Sequence, residues 1–409
     1  MTTTDTLRAE EFFEFIAMPD RRADPYPFYE RVRRLAPAYN VEMVWLVSSY
    51  EYVSQVLRDP RCSTDERKSN LAGEPSVDGF HESAFGRLYF NMLLFVDDPD
   101  HKRLRDLVQK AFTRKAIEDL RPRVGRLVDE LVDGLIERGG GDLVSEVAYP
   151  LPIIVICELL GVPPEDRHVF GDRAVQFARR FEIQPLRSAE DERLGDEATS
   201  FFVEYFERLI EEKRRNPGND VLSNLVAVED EGDRLTHDEL LGTCLLILFA
   251  GHETTANLIG NGTYALMRNR DQWDRLVENP DLARSAVEEL LRYDSPVQVV
   301  MRVAMEDLRF GDAVVPAQTQ IGIMLGAANR DPLHYPDPDR LDITREQDAL
   351  TAFGGGIHFC LGAPLARLEA QVMFNTLARR VPELRVEGDV RWRPSFVIRG
   401  LESLPVGVG

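Results

Sequence analysis

FGGGIHFCLGAPLARLE, residues 353–369, places three consecutive glycines ahead of one cysteine. Gly354, Gly355 and Gly356 can take backbone angles closed to other residues and leave no side chain in the path of a flat ligand. The thiol of Cys360 then falls just before LGAPLARLEAQVMFNTLARR, a helix pattern with Pro364 near its start. A cysteine at a helix N-terminus is favoured as thiolate, because unpaired N–H groups and the macrodipole stabilise negative charge there. Thiolate is the form that a soft metal ligand requires. Read alone, the same residues also fit a buried cysteine packing as a small hydrophobe beside a glycine turn.

Working outward, 409 residues with 44% hydrophobic content can bury a large core, as one large domain or two ordinary ones. The first fifteen residues, MTTTDTLRAEEFFEF, lack both a basic n-region and an apolar h-region, and the longest apolar run, Cys244 to Ala250, is too short for a bilayer. A soluble cytoplasmic protein is expected. Cys62, Cys157, Cys244 and Cys360 show no paired spacing, which argues against a disulfide framework and a structural zinc site. The net charge of −21 disfavours nucleic acid as a partner. One segment runs against that charge. In HKRLRDLVQKAFTRK, His101 to Lys115, the residues Lys102, Arg103, Arg105, Lys110, Arg114 and Lys115 are opposed only by Asp106. By itself such a run reads as a solvated helix face.

Apolar residues at helical spacing dominate the rest, as in IEDLRPRVGRLVDELVDGLIERG, SFFVEYFERLIEEKRR and ARSAVEELLRYD. Strand signals are short: Met43 to Ser49, Arg302 to Val315 with its Phe310-Gly311-Asp312 turn, and VEGDVRW near the end of the chain. The longest helix begins at a Thr236/Glu239 capping-box pattern and runs to about Arg268. Its middle is apolar on nearly all sides, so it is expected to pass through the interior. Ala250, Gly251, His252, Glu253, Thr254 and Thr255 sit at its centre, where an unpaired carboxylate or hydroxyl is costly.

Phe353, Gly354, Gly356, His358, Cys360 and Gly362 match every fixed position of FGxGxHxCxG, and the loop thereby resembles the haem-binding signature of the cytochrome P450 family. Further segments resemble that family in the same chain order: DPYPFYERVR, VSSYEYVSQVLRDPRCS, AGHETT, EELLR and NRDPLHYPDPDRLDITR. Cys62 and Leu341 stand where the family commonly has aromatic residues, away from the chemistry. The resemblance implies a mainly α fold with small β-sheets, a long central helix crossing the haem, and a single domain over residues 1–409. It implies haem b as cofactor, dioxygen as co-substrate, and Cys360 as the iron ligand, with Phe353, Gly354 and Gly362 shaping its loop. His101, Arg105, Arg302 and His358 would hold the propionates. Ala250 and Gly251 would leave room for dioxygen. Thr254 would hold a water or dioxygen by its hydroxyl, and Glu253 would link that network to solvent. The alternative for this pair is a threonine bonded back to the preceding turn and a solvent-facing glutamate. His252 receives no role. Glu289 and Arg292, three apart on one helix face, would form a buried structural pair, with Arg340 a candidate to close their network.

The chain holds no flavin or iron–sulfur domain, so the resemblance implies an outside electron donor. A ferredoxin-type protein docking near Lys102, Arg103, Lys110, Arg114 and Lys115 fits the basic stretch. Candidate substrate-pocket residues are Phe90, Met92, Leu93, Leu94, Phe177, Leu246, Ala250, Val297, Val299, Val300, Phe396 and Val397, all apolar or nearly so, beneath a glycine- and acid-rich loop, Leu71 to Leu88, read as a mobile gate. The expected activity is monooxygenation of a mostly apolar small molecule by a monomer. Peroxide-driven or phenol-coupling chemistry on the same haem, and a haem-thiolate sensor without turnover, are the competing readings.

Overall fold

The computed structural model describes residues 9–35, 38–42, 44–71, 80, 83–183, 186–230, 235–346 and 350–409. Its organising element is the central helix, His237–Arg268, about 48 Å long at 1.5 Å per residue. Both halves of the expected capping box form. Thr236 Oγ1 accepts the Glu239 N–H at 3.2 Å, and Glu239 Oε2 accepts the Thr236 N–H at 2.8 Å. Because this helix is apolar nearly all round, it is wrapped on its different sides by Pro150–Leu159, Gly171–Ala178, Ala283–Tyr293 and Ala363–Arg380. The long amphipathic helix Ala189–Arg215 lies outside these, its N-terminus closed by a Ser188/Asp191 capping box and its first turn acidic.

The fold is mainly helical with small sheets, as expected. The largest sheet has five strands in the order Ala38–Val41, Val44–Val47, Gln320–Met324, Val299–Ala304 and Cys62–Ser63. Val44–Val47 pairs parallel with Gln320–Met324, with Val44 opposite Gln320, and the other neighbours are antiparallel. VEGDVRW, read as one strand signal, is split: Arg385–Val386 pairs with Pro405–Gly407, and Arg391–Trp392 pairs with Leu401–Ser403. Gly388 turns the chain between them at φ +118°. Among the described residues no helix is long and apolar enough to cross a membrane.

The basic stretch is not one helix. Asp100–Val108 ends in a tight turn over Gln109–Phe112, and a new helix, Arg114–Glu137, starts where extended Thr113 accepts the Ala116 N–H on its side-chain oxygen at 3.2 Å. A threonine side chain that satisfies an unpaired N–H favours a fresh start over continuation.

Candidate haem-thiolate site

The glycines of the opening loop divide into two kinds. Gly354 and Gly356 have φ +72° and +64°, a region that side chains disfavour, and a Cβ on Gly356 would lie 2.4 Å from the Leu57 carbonyl oxygen. Gly355 is extended and its requirement is only for space beside Leu57. The loop returns on itself through a Cys360 N–H donated to the Phe353 carbonyl at 2.9 Å. This leaves Cys360 half-buried one turn before Ala363–Arg380. Burial raises its thiol pKa, while the Gly362 and Ala363 N–H groups, Arg105 and Arg367 pull it down. Burial here outweighs the helix terminus, from which a thiolate was expected. A bound cation removes the proton from such a thiol outright.

Four donors gather beside the loop. Arg105 Nη2 donates to the Phe359 carbonyl at 2.9 Å, tying Asp100–Val108 to the cysteine loop, and the His101 and His358 rings lie 4.2 Å apart. Burial, then the charges of Arg302 and His101, pull His358 down to about 3. Burial also brings Arg302 down to about 10 and lowers His101. Asp97 is the nearby anion, but Ser63, Thr64 and Lys68 already occupy it. His101 Nε2 is buried without a partner, and among the described residues the only hydrogen bond of the Arg302 side chain goes to the Met301 carbonyl at 2.8 Å. Asp98 lies 3.5 Å from His101 Nδ1, which leaves His101 Nε2 and most of the Arg302 guanidinium unengaged; two arginines and two neutral histidine donors gathered at one place suit a dianionic ligand at an apolar slot, and the residues present therefore fit the two propionates of haem.

On the central helix, Ala250 is exposed and Gly251 and Thr254 are half-buried, although the helix around them is buried. An opening at the middle of an interior helix fits a ligand lying against it. Gly251 also leaves space for Pro150–Leu159, since a Cβ there would meet the Ile156 side chain, Cδ1 at 2.3 Å. Thr254 Oγ1 donates to the Ala250 carbonyl at 2.7 Å, the back-bonded arrangement. Glu253 is not solvent-facing. It is 4% exposed and accepts from Arg393 Nη1 at 2.6 Å, the Tyr149 hydroxyl at 2.9 Å and Asn257 Nδ2 at 3.2 Å. Burial raises its carboxyl, but Arg393, His252, Tyr149 and Asn257 together hold it below the ordinary range. Sequence reasoning missed Arg393 and Tyr149, which arrive from distant segments; only Asn257, at i+4, carried a local signal.

The proposed pocket residues separate into two groups. Leu94, Leu246, Ala250, Val297, Val300 and Val397 keep accessible surface. Phe90, Met92, Leu93, Phe177, Val299 and Phe396 are buried in core packing, Phe177 against Phe85 and Phe202, and Phe396 against Phe12 and Phe15. Phe249, just before Ala250, stacks on Phe181 at 3.7 Å. Of the gate loop, residues 72–79 and 81–82 lie outside the described residues.

Glu289 and Arg292 are fully buried and joined by two bonds of 2.8 and 2.9 Å. Their network is closed by the Arg345 side chain, 3.3 Å from Glu289, whereas Arg340 contributes only its carbonyl oxygen. On the basic stretch, Lys102 pairs with Asp106 at 2.6 Å and Arg103 binds both Asp100 and Glu239, so the sequence view that Asp106 alone opposes these charges is corrected. Among the described residues Lys110, Arg114 and Lys115 are exposed and form no ion pair.

The sequence profile of the cytochrome P450 family matches residues 166–381. Cytochrome P450 107B1 of Saccharopolyspora erythraea is 42% identical over 97% of this chain and 98% of its own, and cytochrome P450 monooxygenase PikC of Streptomyces venezuelae is 43% identical over 95% and 92%. The ligand-free crystal structure of CYP164A2 from Mycobacterium smegmatis superposes with a TM-score of 0.89 at 40% identity, covering 98% of this chain and 100% of that one.

Proposed function

Because this chain belongs to the cytochrome P450 family, a family of haem-binding oxidoreductases, we propose that it inserts one oxygen atom of dioxygen into a mostly apolar natural product, by hydroxylation or epoxidation. The whole chain acts as one cytoplasmic, monomeric domain. The observation that carries the reading is the cluster of His101, Arg105, Arg302 and His358 beside Cys360, with His101 Nε2 buried and unpartnered. Cys360 would ligate the iron of haem b, and the four donors would bind its propionates. When bound, haem supplies oxygen activation with thiolate donation. Around it, the Ala250 opening admits a small ligand, Thr254 offers a hydroxyl to hold a water, and Glu253, an anion at rest, takes up and passes on a proton. Leu246, Val297, Val300 and Val397 would position the substrate by apolar contact. A similar chain, 38% identical, is the 6-deoxyerythronolide B hydroxylase of S. erythraea, which supports a natural-product substrate.

Electrons would come from a ferredoxin-type protein at the face formed by Lys110, Arg114 and Lys115, with exposed Ile357 and Phe359 on the adjoining loop. The test combines two measurements on the purified holoprotein. The reduced carbonyl complex should give the thiolate spectrum, and Cys360→Ser should abolish it. A screen of apolar natural products for Soret shifts, followed by product analysis, should yield an oxygenated product, with Thr254→Ala consuming electrons without matching product. A carbonyl spectrum unchanged in Cys360→Ser would end the assignment.

A further inference from the structure

We infer that Arg393 is a positioning residue for the proton relay, and that the polar cleft it shares with Arg179, Glu182 and Ser395 is the inlet through which water recharges Glu253. The inference rests on the reading of Glu253 as the relay acid. Glu253 and Thr254 are consecutive, hence about 100° apart around the helix, and no hydrogen bond joins them. Thr254 turns to the Ala250 opening, while Glu253 turns to the opposite supply of donors. Its Oε1 accepts from Arg393, Asn257 and Tyr149, whereas Oε2 receives only the shared Tyr149 hydroxyl and keeps lone pairs free.

A cavity of about 30 Å³ opens on this side, lined by Glu253, Arg393, Arg179, Glu182 and Ser395 among others. That volume holds one or two waters, and every one of those five residues offers a polar atom. The outer wall is latched: Glu182 accepts from the Ser395 hydroxyl and from the Phe396 N–H at 2.8 Å, joining the end of the turn Arg179–Phe181 to the C-terminal loop. Arg393 is itself fixed, donating its backbone N–H to the Gly400 carbonyl at 3.0 Å and lying 4.6 Å over the Tyr149 ring.

The charged and titratable groups facing Glu253 are His252 on its own helix, Tyr149 and Arg393, with Arg179 and Glu182 across the cleft, Arg179 also acting on Tyr149, and Glu402 acting on Arg393 from behind. A guanidinium does not deprotonate, so Arg393 orients Glu253 and returns it to the anion but donates no proton. One proton passes from bulk to cleft water, from that water to a Glu253 oxygen, and from Glu253 toward the Thr254 side. The carboxylate is regenerated, and the cleft water, neutral again once it has passed its proton on, can take the next proton from bulk.

Arg393→Gln, Arg393→Lys, Ala178→Leu and, as control, Arg391→Gln would be compared as holoproteins. Ala178 lines the cleft, and Arg391 forms an exposed pair with Glu402. Infrared titration of the Glu253 carboxyl, assigned by its loss in Glu253→Gln, needs no turnover. Arg393→Gln should raise the pH of protonation by more than one unit, Arg393→Lys should largely retain it, and Arg391→Gln should not move it. Product formed per electron should peak at correspondingly higher pH in Arg393→Gln. Ala178→Leu should lower product per electron severalfold and enlarge the solvent deuterium isotope effect, with the Glu253 titration in place. Should Arg393→Gln fail to fold, Arg393→Lys and Ala178→Leu decide. An unmoved titration, or an Ala178→Leu enzyme with normal coupling and isotope effect, overturns the inference. Absence of the thiolate carbonyl spectrum instead removes the underlying functional reading.

Discussion

At Gly356 a positive φ coincides with a space that a Cβ would fill 2.4 Å from the Leu57 carbonyl, whereas Gly354 has the same backbone demand and its nearest contact at 3.8 Å. Gly354→Ala should therefore cost about 1–3 kcal/mol of strain. Gly356→Ala should cost more and displace the loop, lowering haem content as well; denaturant melts and haem-to-protein ratios measure both, and equal losses would remove the Leu57 contact from the account. Asp97 gives a pH signature. Burial pushes its carboxyl up, but bonds from Lys68, Ser63 and Thr64 more than reverse this and hold it at about 2. A depressed carboxylate contributes stability that is complete above its unfolded value near 4 and fades as pH falls toward 2. Asp97→Asn should flatten the stability curve across that window, measured by urea melts at stepped pH. Cys360 and the positive-φ demand of Gly354 and Gly356 were legible in the chain because backbone angles belong to adjacent residues, whereas the Leu57 contact of Gly355 and Gly356 was not. Arg393 was not legible, because its partner Glu253 is 140 residues away.

Elements are held in register by polar pairs that the hydrophobic pattern does not reveal. Glu289 and Arg292 were readable as an i,i+3 pair, but their complete burial and the choice of Arg345 over Arg340 depend on how the segment 330–345 folds over the helix Ala283–Tyr293. Removing one partner leaves a buried charge, so Arg292→Met should destabilise by about 3–5 kcal/mol. Arg345→Met should cost distinctly less, since two of its nitrogens bind backbone carbonyls near the surface. Urea denaturation of both variants tests the order, and a reversed order would remove Arg292 from the centre of the network. The central helix shows the same division. Its capping box is local and was read correctly, while the Arg103 that grips Glu239 from Asp100–Val108 is tertiary.

For the whole molecule, net charge −21 makes the basic face around Lys110, Arg114 and Lys115 electrostatically distinctive. Reversing Lys110 and Lys115 together should slow reduction by a ferredoxin-type donor at low salt and flatten its salt dependence, in stopped-flow measurements. Reversing Lys102, already paired with Asp106, should do less; equal effects would discard the refined face. The amino-acid sequence alone settled the helical class, the capped interior helix and the loop that presents Cys360, because periodicity, caps and glycine angles are properties of adjacent residues. It also carried the family signature from Phe353 to Gly362. Only the tertiary structure decided that Glu253 is a tethered anion, that Gly251 faces Ile156, and that the basic stretch breaks at Thr113 with Arg103 engaged by Glu239. Those outcomes depend on which distant charges and surfaces share one buried space, and an ion pair or a close contact between remote segments leaves no periodic trace along the chain.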